Sequence, residues 1–195
     1  MKVRHDPSLT SHYISNAFYE QLIADFTDWR REELERGDPA LRDACRRLLE
    51  REARALQEMR LEDWLALYAG ECLYWVPASV DGGDPRREVA IAFDDRRRLE
   101  DRIYRLQLAH AWSQRPPSRT ARMVSNVTVY ATDEDDALMV RSSFMISEFW
   151  AEETRLWSGW YGHRLRRDGD GWEILVKQVN LIDCDRNIRN PSIIL

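Results

Sequence analysis

A proline pair, Pro116-Pro117, divides the chain into two stretches with different hydrophobic periods. Apolar residues recur at helical spacing through most of the first stretch. Strand-like runs rich in Trp and Tyr fill the second. Two adjacent prolines end a helix and hold the following backbone extended. Arg119, Arg122 and Asn126, just beyond them, carry charged and polar groups that need partners, an arrangement suited to docking and without catalytic logic of its own.

Ahead of the prolines, Ile14, Phe18, Leu22 and Phe26 at four-residue steps predict a helix over 12–36, closed by Gly37-Asp38-Pro39. A second helix is expected from Pro39 to Met59, its inner side formed by Leu41, Leu48, Leu49, Ala53 and Leu56. Leu61 to Ala69 reads as a short third one. Glu71 to Ala78 is strand-like by its aromatic and branched content, and Glu88 to Phe93 is a second short strand after the Asp81 to Pro85 turn. Helical spacing returns over Asp95 to Trp112. After the prolines, strands are expected over 121–132, 137–149, 155–166 and 172–182. Asp133 to Asp136 and Asp168-Gly169-Asp170-Gly171 read as hairpin turns, which makes these consecutive strands antiparallel. The fold class is therefore α+β, helices packed on one face of a curved, largely antiparallel sheet.

The chain has 195 residues, enough to bury roughly 70% of the surface its unfolded form exposes. Its three cysteines, Cys45, Cys72 and Cys184, are odd in number and far apart, which argues against a disulfide framework. No basic leader with an apolar core opens the sequence and no apolar run is long enough to cross a bilayer, so a cytoplasmic protein is expected, with no membrane partner. A net charge of -5 with both signs interspersed makes nucleic acid an unsuitable partner.

Two segments carry a family likeness. Leu48 to Pro77, LLEREARALQEMRLEDWLALYAGECLYWVP, places Glu52, Ala53, Leu56, Trp64, Leu65, Tyr74, Trp75 and Pro77 on one pattern. Leu99 to Val129, LEDRIYRLQLAHAWSQRPPSRTARMVSNVTV, places Arg102, Arg105, Leu106, Pro117, Ser118, Arg119, Thr120, Arg122, Ser125, Asn126 and Val127 on another. Both resemble the signatures of the small, or beta, subunits of aromatic-ring-hydroxylating dioxygenases, and the likeness extends over about residues 45–185. Gln57 and Glu71 depart from it, standing where the pattern has aspartate. The resemblance implies a nuclear-transport-factor-2-like (cystatin-like) cone as a single α+β domain over 45–195, and a helical N-terminal extension over 1–44 is a second departure, longer than the pattern leads one to expect. The resemblance also implies assembly with a large subunit that carries the Rieske [2Fe-2S] cluster and a mononuclear iron, commonly three large and three small chains, served by a reductase or ferredoxin. The small chain would be structural in a complex that dihydroxylates an aromatic compound in aromatic catabolism.

The residues agree that metal chemistry lies elsewhere. A Rieske centre needs paired cysteines and histidines, and no histidine lies within three residues after any of the cysteines. A mononuclear iron needs two histidines and a carboxylate, and His5, His12, His110 and His163 show no ligand spacing. The alternative is a stand-alone pocket enzyme of the same fold, isomerase- or dehydratase-like, for which Asp63, Tyr74, Tyr104 and His110 are the candidate proton-moving groups. A pure interaction module is a third reading, its appeal being Trp150, Trp157, Trp160 and Trp172. For the subunit reading, Arg119, Arg122 and Asn126 are the expected register-fixing contacts and Trp75 and Trp160 the apolar anchors. Gly159 and Gly162 are expected to lie under a bulky neighbour, and Pro191 to Leu195 to pack at a subunit boundary.

Overall fold

Ser15 caps the first helix: its Oγ accepts from Phe18 N at 3.1 Å at the start of α1, Asn16–Asp25. The computed structural model describes residues 14–80, 82, 84–85, 87–107, 117–186 and 193–195. The expected helix over 12–36 stops at Asp25. Asp28 takes a positive φ of 50°, and Phe26 and Trp29 turn down onto the sheet. Burial of two large rings there outweighs the four-residue pattern that would continue the helix. A 3-10 turn, Glu32–Leu34, follows, and Arg36 N donates to Val129 O at 2.8 Å.

Helix α2, Pro39–Gln57, starts where Asp38 accepts from Ala40 N and proline occupies the first turn. It runs straight across the 44/45 division. After α3, Leu61–Leu65, come strands β1, Tyr68–Pro77, and β2, Ala90–Asp95, then α4, Arg96–Gln107. The rest is sheet: β3, Arg119–Ala131, β4, Ala137–Trp150, β5, Glu153–Asp168, and β6, Gly171–Leu181. Six strands form one sheet in the order β2-β1-β6-β5-β4-β3. Every neighbouring pair is antiparallel except β1 and β6, which run parallel.

Both faces of the sheet are used. On the inner face, α2, α3 and α4 pack with Leu49, Trp64 and Leu99 against Val140, Leu165 and Val179. On the outer face, α1 places Leu22 over Leu73, Trp75 and Val176. Trp29 continues this cover onto Tyr130 and Met139. The two glycines of β5 have an intrachain explanation. A Cβ on Gly162 would stand 3.0 Å from Phe26 Cε1 and 3.2 Å from Trp29 Cζ2, and one on Gly159 would stand 1.9 Å from the carbonyl oxygen of Asn180 on β6.

Candidate functional site

The interior that a pocket enzyme of this shape would use is filled with paired charge. Glu52 lies on α2 one turn from Leu48 and from Leu56, and is 2% exposed. Its Oε1 accepts from Trp64 Nε1 at 3.1 Å, from the Tyr68 hydroxyl at 2.7 Å and from Lys177 Nζ at 3.0 Å. Lys177 in turn sits 4.2 Å above the Tyr161 ring, which is stacked on Phe144. Burial alone would raise the Glu52 carboxyl, but the Lys177 ammonium and the converging donors hold it well below the usual carboxylate range. Burial pulls the Lys177 ammonium the other way, below its ordinary 10.5, against the opposing attraction of Glu52, and the 3.0 Å contact pairs the two groups. All three donors converge on one oxygen, Oε1, so the carboxylate is tied into the core by its own chain.

His163 Nε2 lies 3.6 Å from Glu52 Oε2, beyond hydrogen-bond range, and among the described residues neither ring nitrogen has a hydrogen-bond partner. Burial lowers its pKa from the ordinary 6.5, against the opposing pull of Glu52, so the ring is neutral. This cluster was missed in the sequence. Its signal was there: Glu52 interrupts the apolar stripe of α2, and Lys177 shares strand parity with Val179 and Leu181. Two opposite charges on inward-facing positions point to each other.

The residues of the pocket reading do not converge. Asp63 is exposed and paired with Arg60 at 2.5 Å. Tyr104 is 38% exposed on α4, and His110 lies outside the described residues. Tyr74 is buried, its thermodynamic preference pushed by desolvation to a pKa of about 12, and its hydroxyl accepts from Leu195 N at 2.9 Å. Ile193, Ile194 and Leu195 are buried against the inner face. That corrects the expectation of a tail left for a subunit boundary: an apolar segment this close to Tyr74 gains more by closing its own chain's interior. A void of about 30 Å³ lies beside Leu56, Ile193 and Ile194.

Of the docking residues, two are absorbed by the chain itself. Trp75 is 1% exposed beneath α1 and offers no surface, because α1 covers the outer face of β1. Arg122 turns inward, donating from Nη2 to Ile194 O at 2.5 Å, while its backbone N–H donates to Gln57 Oε1. Arg119, Asn126 and Trp160 come together on the uncovered outer face of β3, β4 and β5. Arg119 lies over the exposed Phe149 ring at 4.7 Å. Asn126, at a bulge with φ 52°, donates from Nδ2 to Ser143 Oγ at 3.3 Å. Trp160 is flanked by Arg30 at 4.7 Å and Arg141 at 5.3 Å. Met123, Met145 and Leu156 are exposed between them, with Ala121, Ser125, Ser143 and Ser147 keeping the face shallow.

Among the described residues no group of three or more His, Cys, Asp or Glu side chains is placed to hold a metal ion. All three cysteines are buried, and burial pushes the Cys45 and Cys72 thiols up to about 12, opposite to what a thiolate ligand requires. These residues do not fit an iron–sulfur cluster or a mononuclear iron.

The described residues thus form an α+β cone with a buried Glu52–Lys177 pair inside and an exposed aromatic and basic sheet face outside, an arrangement suited to a subunit. The family model described as ring hydroxylating beta subunit matches residues 51–185, and the chain belongs to that family. It is 29% identical over 171 residues to the beta subunit of 3-phenylpropionate/cinnamic acid dioxygenase of Photorhabdus laumondii, covering 82% of this chain and 94% of that one. Among solved structures it is similar to naphthalene 1,2-dioxygenase with indole bound, with a TM-score of 0.71, 18% identity and coverage of 93% and 95% of the two chains. It is also similar to the benzoate 1,2-dioxygenase beta subunit of Burkholderia mallei, with a TM-score of 0.63, 22% identity and coverage of 77% and 95%. The fold is the nuclear-transport-factor-2-like, cystatin-like cone that the resemblance implied.

Proposed function

We propose that this chain is the structural small subunit of a cytoplasmic complex that dihydroxylates an aromatic compound in aromatic catabolism. Its partner is a large subunit carrying the Rieske [2Fe-2S] cluster and the mononuclear iron, fed by a reductase or ferredoxin, and it self-associates as a trimer. The observation that carries this reading is the division of labour between the two faces of the sheet. The inner one is sealed by Glu52, Lys177 and the Ile193 to Leu195 segment. The outer one exposes Met123, Met145, Phe149 and Leu156 around Arg119 and Trp160, the mix of apolar and aromatic groups with arginine that protein interfaces favour. Residues 14–34 act as a strap that covers part of the outer face and leaves the rest for neighbours.

Co-purification with a large subunit, followed by native mass measurement and metal analysis, tests it. The expected result is a mixed assembly in which iron and ring-hydroxylating turnover follow the large subunit. Stoichiometric iron in the isolated chain, or turnover of a carbonyl or hydroxyl compound by that chain alone, would return the pocket-enzyme reading.

A further inference from the structure

A single peptide unit is gripped from both sides at the mouth of the cone. Arg122 on β3 donates from Nη2 to Ile194 O at 2.5 Å, and the Tyr74 hydroxyl on β1 accepts from Leu195 N at 2.9 Å. These are the C=O and the N–H of the same peptide bond. The Tyr74 hydroxyl also donates to Leu195 O at 3.3 Å. Among the described residues no other side chain hydrogen-bonds Ile193–Leu195, and the segment belongs to no helix or strand. Beside it lies the void of about 30 Å³, walled by Leu56 of α2, Leu61 of α3 and Leu106 of α4 and reached by Thr120 and Arg122.

The groups around this clamp offer more hydrogen-bond donors than the segment uses. Arg122 is part-buried, which penalises its charge, yet no carboxylate among the described residues pairs with it, and its Nε reaches Thr120 Oγ1 at 3.4 Å. Glu52 and Glu148, the buried carboxylates of this face, are engaged by other donors, Lys177 and Ser118 among them. The Tyr161 hydroxyl makes no hydrogen bond with any described residue, and Ser142 Oγ, opposite it on β4, is fully buried without a partner. Burial raises the Tyr74 and Tyr161 phenols, and the Arg122 charge pulls against it at both, so the three side chains face one interior. A guanidinium bound to a neutral carbonyl has a weaker partner than a carboxylate, which takes its fork at two oxygens. The walls and the segment between them are aliphatic, which selects the body that such a carboxylate must carry.

We propose that the interior of this chain binds a small aliphatic monocarboxylate, which displaces Ile193–Leu195, sets its carboxylate on Arg122 and lays its chain against Leu56, Leu61 and Leu106. The site goes beyond the proposed function and is independent of what docks on the outer face. The segment is then a stopper that keeps the interior dry until the ligand takes its place.

Octanoate is the probe and octanol its uncharged counterpart, each titrated by calorimetry into the full chain while the methyl signals of Ile193, Ile194 and Leu195 are followed by NMR. Octanoate is expected to saturate one site and to shift those signals, with octanol weaker by about tenfold or more. Arg122→Gln should bring the two affinities together, and the wild-type readings decide the matter even if that variant fails to fold. Absence of saturable octanoate binding, equal affinity for octanol, or binding that leaves the methyl signals of the segment unmoved would overturn the proposal. So would a folded Arg122→Gln chain that keeps the preference, since the carboxylate would then sit elsewhere.

Discussion

Replacing Glu52 by Gln keeps the side chain's outline but removes the charge that faces Lys177 Nζ at 3.0 Å. An ammonium left buried and unpaired is far costlier than a lost hydrogen bond, so Glu52→Gln should cost about 3–5 kcal/mol in urea unfolding. Adding Lys177→Met should restore much of it, because the orphaned charge is then gone as well. His163 makes stability depend on pH. Its pKa is lowered by burial from 6.5, so below 6.5 the unfolded chain takes up a proton that the folded chain refuses. Stability is fully present above pH 6.5 and falls as the pH drops below it, with Glu52, also lowered, adding its own loss only below about 4.5. A His163→Leu chain should show a flatter denaturation midpoint just below pH 6.5 than the wild type.

The strands place their own constraints. The hairpin from β4 to β5 turns through Ala151 and Glu152, with φ of 50° and 65°. Such turns favour Asn-Gly, and that replacement should raise the thermal midpoint, corresponding to a gain of about 1 kcal/mol. Gly162→Ala should cost about 1–3 kcal/mol, since Phe26 and Trp29 must both yield. Gly159→Ala meets backbone instead of a ring and should cost more, both read from the thermal midpoint. The elements themselves were largely legible: alternation and turn chemistry placed β3 to β6 within about two residues of their ends, and the proline pair marked where the sheet begins. The first helix was overextended because its four-residue spacing continues into Phe26, which the sheet claims. The parallel pairing of β1 with β6 was not legible, as no local pattern records which distant strand becomes a neighbour. For the site, Arg119, Asn126 and Trp160 could be nominated from sequence, but only the bulge at Asn126 and the parity of β5 reveal that they share a face. Trp75 and Arg122 could not be distinguished from them, because whether a ring or guanidinium points outward depends on α1 and on the Ile193 to Leu195 segment.

At the level of the whole molecule, the filled interior and the open outer face make opposite demands on substitution. Ile194, buried where a ligand would otherwise sit, should behave as a core residue, and Ile194→Ala should cost about 2–4 kcal/mol in urea unfolding. Met123, exposed at the centre of the outer face, should tolerate Met123→Lys in the monomer within about 0.5 kcal/mol by the same measurement.

Strand β6 lies in the middle of the sheet, between β1 and β5, although it is the last in sequence among the described strands. During synthesis the β1–β2 pair and the β3–β5 meander must therefore wait as two separate half-sheets, each with a bare edge. Only when the segment around Lys177 leaves the ribosome can they be joined, and in that single event the ammonium also meets Glu52. A nascent chain interrupted before that point is left with an unneutralised acid in its apolar helix face and two open edges, a ready target for chaperones and proteases.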